Sequence, residues 1–91
     1  MEVEIGRVAL YYNHINVAVV KLIDGLKLGD KIHILGHVTD VTERVASMHV
    51  NHLPVVWVKP GSDVAITLDE PVREKDVVYR VIEEISEPEF A

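Results

Sequence analysis

A chain of 91 residues with a formal net charge of −6 and no cysteine has room for one domain with a modest core. It excludes disulfides, thiolate metal sites and a cysteine nucleophile. No apolar run approaches the ~20 residues a membrane-spanning helix needs. Met1-Glu2-Val3-Glu4-Ile5 lacks the basic-then-apolar order of a secretory leader. The expectation is a cytoplasmic protein without membrane contact.

Apolar residues make up 48% of the chain, valine foremost, and a branched Cβ suits a pleated sheet. The charge is uneven. Residues 1–60 hold six acids and six bases, and residues 61–91 hold nine acids and three bases. Binding a phosphate backbone by charge alone requires the opposite sign. The acidic end reads as a solubilising surface or as a patch for a basic protein partner.

In chain order, residues 4–12 read as a first strand, with Val8, Leu10 and Tyr12 on one face. Gly6 lets it bend or lets another backbone come close. Asn13-His14 is a turn, because asparagine tolerates positive φ. Residues 15–23 form a second strand. Ile15, Val17 and Val19 take one face and Ala18, Val20 and Leu22 the other, as in a strand covered on both sides. Asp24-Gly25 breaks it, and Leu26-Lys27-Leu28 leads into a Gly29-Asp30 turn. That turn launches a third strand, Lys31 to Leu35, with Ile32 and Ile34 inward, Lys31 and His33 outward and Gly36 as its stop.

Residues 38–50 admit two readings. Val41, Val45 and Met48 stand at i, i+4 and i+7, a helical stripe. The valine- and threonine-rich composition instead fits a strand with a bulge near Ser47, and this reading is preferred. Asn51 to Pro54 is a loop, since Pro54 has no amide donor. Val55-Val56-Trp57-Val58 is a short edge strand. Lys59-Pro60-Gly61-Ser62 fits a type II turn, Pro60 presetting φ and Gly61 accepting a positive one. Residues 64–68 alternate as a strand, Arg73 to Asp76 is a polar turn, and Val77 to Ile82 is the last strand. Structural turns thus fall at Gly6, Gly25, Gly29, Asp30, Gly36, Pro60 and Gly61. Short strands punctuated about every ten residues are the pattern of a barrel or sandwich, and closure removes exposed sheet edges. The expected architecture is all-β: a single domain over 1–91, with a small closed six- or seven-stranded antiparallel β-barrel over about 4–82. An acidic tail, 83–91, carries Ile85 and Phe90 as its apolar residues.

The punctuation resembles a known family. It runs from Gly6 to Leu26-Lys27-Leu28-Gly29-Asp30-Lys31-Ile32-His33-Ile34-Leu35-Gly36, then Val45 and Met48. Lys59-Pro60-Gly61-Ser62-Asp63-Val64-Ala65-Ile66 and Asp76-Val77-Val78-Tyr79-Arg80-Val81 complete it. The order is similar to the second-domain β-barrel of translational GTPases such as elongation factor Tu. More closely, it resembles small elongation-factor-like proteins and the C-terminal domain of U32 peptidase-like proteins. The likeness spans about residues 4–82 and implies a docking or RNA-contact module, though no family side chain is carried over. The closing turn of that family usually carries glycine before aspartate. Here it is Lys75-Asp76, so another turn geometry is expected. No Gly-x-x-x-x-Gly-Lys-Ser/Thr occurs, so nucleotide hydrolysis is not inherited. A counterpart of the U32 peptidase part is likewise absent from these residues.

The chemistry-bearing residues each have a plainer role beside the functional one. Histidines stand at 14, 33, 37, 49 and 52. On a strand, His49 and His52 point to opposite sides. His33 and His37 lie about 13 Å apart if extended. Surface or hydrogen-bonded histidines are therefore expected rather than the three or four converging donors of a zinc site. Ser47 and Ser62 lack a nucleophile elbow. Asp69-Glu70 and Glu83-Glu84 are adjacent on the chain and point apart. Trp57 and the tyrosines at 11, 12 and 79 either stack bases or cap the core.

The resulting expectation is a non-catalytic interaction module with no cofactor, metal or catalytic residue. It docks on a protein or ribonucleoprotein partner, with Val56, Trp57, Arg7 and Lys31 as the partner surface. The 55–58 segment would serve by strand addition or in a homodimer. The alternatives are direct binding of RNA and a small histidine-based metal protein.

Overall fold

The computed structural model describes residues 1–83; the expected acidic tail, with Ile85 and Phe90, otherwise lies outside them. The described chain is all-β and without a helix. Its strands are β1 (Glu2–Tyr12), β2 (Val17–Leu22), β3 (Leu26–Lys27), β4 (Lys31–Leu35), β5 (Asp40–Arg44), β6 (Met48–Val50), β7 (Leu53–Pro54), β8 (Trp57–Val58), β9 (Asp63–Thr67) and β10 (Val77–Val81). Eight form one sheet in the order β5-β4-β10-β1-β2-β9-β6-β7, and β3 and β8 form a separate ribbon. Every pairing is antiparallel. Against the expected six or seven barrel strands, the main ladder has eight and runs from β5 to β7. Bonds outside the ladder tie the β5 end to other segments. The Glu43 carboxylate on β5 accepts the amide of Asp69 at 2.9 and 3.0 Å and that of Glu70 at 3.0 Å. Val45 bonds to the Gly29-Asp30 turn that follows β3.

The core follows from period 2. Ala18, Val20 and Leu22 of β2, Ile32 and Ile34 of β4, Val64 and Ile66 of β9, and Val78 of β10 are buried. The ribbon adds Leu26 and Val58. Burying a valine or leucine side chain in this way contributes roughly 1.5–3 kcal/mol.

Three expectations fail for identifiable reasons. The register of β1 slips twice, between Glu4 and Gly6 against β10 and between Val8 and Leu10 against β2. Each slip is a bulge that moves side chains to the other face. Leu10 and Tyr12 therefore face outward. Tyr11 turns in against the core, its hydroxyl donating to the Asn16 side chain. On β2, Val17 and Val19 remain half exposed, so that strand is covered on one side. Residues 45–47 are a break between β5 and β6 rather than a bulge inside one strand. The break delivers both Val45 and Met48 to the core.

Turn chemistry repeats. In Lys27-Leu28-Gly29-Asp30, Lys59-Pro60-Gly61-Ser62 and Arg73-Glu74-Lys75-Asp76, the third residue has φ of 90°, 87° and 74°. Its amide donates to a carbonyl on another segment: Gly29 to Val45 at 2.8 Å, Gly61 to Leu22 at 3.0 Å, Lys75 to Val8 at 2.7 Å. The amides of Val45, Leu22 and Val8 return a bond to the carbonyls of Asp30, Ser62 and Asp76 at 2.9, 3.0 and 2.9 Å. The Lys75-Asp76 turn, expected to need another geometry, thus has that of the other two, with a lysine in the left-handed region where they have glycine. Asn51 and His52, at φ 50° and 66°, form a two-residue hairpin turn between β6 and β7. This replaces the expected open loop. Both central residues at positive φ is the type I′ pattern, whose twist matches the strands.

Candidate functional site

The ribbon sets the first candidate surface. Leu26 pairs with Val58, both buried, so Lys27 and its partner Trp57 point outward. The Leu28 amide donates to the Val56 carbonyl at 2.9 Å, which holds Val56 beside the ribbon. Val56 is 71% exposed and Trp57 57%. With Leu28, Pro54 and Val55 they line a shallow groove of about 560 Å³ floored by Met48. On its other flank the Trp57 indole lies over Gly25, where an added Cβ would stand 3.6 Å from Nε1. Beneath it, Arg80 donates to the Gly25 carbonyl and, at 3.1 Å, to the Asp24 carboxylate. The Gly25 amide, and then Arg80, hold the Asp24 carboxyl below its usual range. Lys27 and Arg80 are the cations that share a groove with Trp57.

Arg7 and Lys31 belong elsewhere. Arg7 on β1 lines a groove of about 600 Å³ over the outer face of β4, β10 and β1. Its guanidinium donates to the Lys75 carbonyl at 3.3 Å. Lys31 stands at the far end of β4 from Leu35, which lines that groove. Four residues of strand separate the two, about 13 Å. Lys31 is paired in register with Arg44. The structure therefore does not gather Val56, Trp57, Arg7 and Lys31 into one surface.

The same outer face carries a histidine that sequence reading placed outward without a partner. His33 Nδ1 is 2.7 Å from Glu2 Oε1, and Nε2 is 2.6 Å from Asp40 Oδ1. The bond to Glu2, reinforced by the one to Asp40, raises its pKa above the ordinary histidine value. The Tyr79 ring flanks it at 6.2 Å. The signal was faint. The Gly36 stop lets the chain reverse, with the Gly36 amide on the Thr39 carbonyl at 2.9 Å. Asp40 then pairs with Leu35, two residues from His33, while Glu2 arrives from β1 with no local sequence mark. His49 and His52 line one groove with Asp63, because the hairpin turn brings them together where a straight strand would have set them apart. Among the described residues no group of three or more His, Asp or Glu side chains is arranged to hold a metal ion. No helix among them is long and apolar enough to cross a membrane.

Comparison with known proteins bears on the fold. No protein-family model matches the chain. It is 42% identical over 85 residues to an uncharacterized protease of Methanocaldococcus jannaschii. That match takes in 92% of this chain and 21% of the protease, so the chain spans about a fifth of its relative's length. Among solved structures it is similar to the C-terminal domain of a protein of Geobacillus thermoleovorans described as a U32 peptidase. The TM-score is 0.81 at 15% identity, covering 87% of this chain and 92% of that one. The selenomethionine variant of the same domain gives 0.78 at 15% identity, covering 84% and 96%. The fold is therefore that of a U32-type C-terminal domain.

Proposed function

We propose that this chain is a non-catalytic interaction module that docks on a U32-peptidase-like body through the Trp57 ribbon. The observation that carries the reading is the pair Val56 and Trp57, 71% and 57% exposed, beside and on a two-stranded ribbon separate from the main sheet. A large aromatic in an apolar groove is the kind of anchor that dominates protein interfaces. The match to a fifth of a longer protease supports a partner supplying the remaining four-fifths, on the same chain or a separate one. The absence of a nucleophile elbow and of a phosphate loop supports a role without catalysis. The absence of cysteine suits a reducing compartment such as the cytoplasm.

The kinship to translation-factor barrels rests on turn and strand order, and closure into a barrel is a further step of that same reading. Sedimentation of the chain with the protease of the relative, lacking its matching segment, tests the docking. A one-to-one complex is expected, with about a tenfold loss of affinity on Trp57→Ala. A chain that forms neither this complex nor a homodimer, with Trp57→Ala indistinguishable from the parent, defeats the reading.

A further inference from the structure

We infer that the groove over β4, β10 and β1 is a binding site for a phosphate ester carrying a flat or apolar body, a nucleotide being the nearest common chemistry. Among the described residues, the arginines with ion pairs are Arg44, with Glu83 at 2.8 Å, and Arg80, with Asp24 at 3.1 Å. Arg7 and Arg73 have none, and both line this one groove together with Lys75. A protein of net charge −6 thus brings three cations without an ion pair, among the described residues, to one groove. Two of them are guanidiniums, whose planar fork matches phosphate oxygens in pairs.

Lys75 strengthens the case. It holds φ 74° where the two equivalent turns use glycine. A non-glycine residue in that region costs roughly 1–2 kcal/mol, so a charge has been placed at the groove against a local conformational preference. Two acids share the groove with it. The Asp76 carboxylate is buried and accepts the Arg73 amide at 2.8 Å, leaving Glu74 as the exposed acid.

The wall supplies the second half of the recognition. Leu35, Val38, Val77 and Tyr79 present apolar surface. The Tyr79 ring is backed by His33, which Glu2 and Asp40 fix in place. A base or similar ring laid on Tyr79 would put its phosphate among Arg7, Arg73 and Lys75. Inorganic phosphate would satisfy the cations alone and leave the wall uncovered.

Isothermal titration of the chain in low salt, with AMP, inorganic phosphate and a 5′-phosphorylated single-stranded tetranucleotide, tests this. AMP is expected to bind one-to-one, about tenfold tighter than inorganic phosphate, given what base stacking adds. Arg7→Ala and Arg73→Ala are each expected to weaken it by about tenfold, as loss of a charge-assisted pair does. Lys75→Gly suits the turn and should keep or raise the thermal midpoint while lowering affinity several-fold. Tetranucleotide tighter than AMP, with the same arginine dependence, identifies the source as a strand; equal affinity identifies a free nucleotide. Absence of AMP binding overturns the inference. So does affinity unchanged in Arg7→Ala/Arg73→Ala, or AMP no tighter than inorganic phosphate. Trp57→Ala should leave AMP binding intact, which separates this result from the docking proposal.

Discussion

The turn at Gly29-Asp30 and the turn at Lys75-Asp76 are built on one plan and differ in what occupies the left-handed position. In each, the aspartate amide bonds back to the residue three before it, Lys27 at 3.1 Å and Arg73 at 3.2 Å. In each, the aspartate carboxylate accepts that same residue's amide, at 2.9 and 2.8 Å. Each launches a strand, β4 and β10, and those strands lie side by side. The first turn uses the residue with no Cβ to strain. The second uses a lysine and keeps the same bonds. Geometry alone is therefore satisfied by glycine, and the lysine meets it at a conformational cost.

The turns also differ in their surroundings, and that difference gives the largest expected effect. A Cβ on Gly36 would overlap the Asp76 carboxylate, whereas nothing crowds Gly29. Gly36→Ala should therefore destabilise the protein by about 2–4 kcal/mol, read as a lower urea midpoint. Next comes removal of the two carboxylates. Asp76→Ala removes a buried carboxylate from a part-buried bond and should cost about 1–3 kcal/mol, and Asp30→Ala, on an exposed bond, about 1 kcal/mol. Equal losses would mean that burial of the second turn carries no energetic weight. Exchange at the left-handed position is comparable in size and opposite in sign between the two turns. Gly29→Ala should lose about 1–2 kcal/mol. Lys75→Gly should gain up to about 1 kcal/mol, the relieved strain partly offset by the greater freedom of glycine in the unfolded chain.

The smallest effect depends on pH and concerns the strands the two turns launch. His33 on β4 has a raised pKa, so its contribution is fully present below about 6.5, the unfolded value. It is lost as pH rises through the folded value. His33→Gln should lower the thermal midpoint at pH 5.5 and leave it nearly unchanged well above neutrality, as thermal melts at the two pH values will read.

Much of this arrangement was legible from residues alone. Ile32 and Ile34, or Val64 and Ile66, announce their buried face by alternation, because a period of two admits one inward set. Gly29 and Gly61 announce their turns, because positive φ selects glycine. Leu10 and Tyr12 misled because a bulge leaves no composition mark and reverses every side chain after it. Lys75 misled for the opposite reason, since the rule that selects glycine is a preference that other interactions can override. The candidate surfaces were half legible. Val56 and Trp57 stand out as apolar residues between prolines. Arg73 and Lys75 join Arg7 only through the pairing of β1 with β10, and His33 meets Glu2 across thirty-one positions of sequence.

The two ends of the main sheet bear on how copies of this protein can meet. A strand arriving beside β7 finds Pro54, which has no amide hydrogen to offer. One arriving beside β5 meets a segment, Asp40 to Arg44, with acids at two of its five positions, and Glu43 is already engaged with the 69–70 amides. Growth into a filament by stacking backbones is blocked at both ends. Crowded solutions should accordingly stay clear of fibrils, and self-association is left to side chains that a single substitution can switch off.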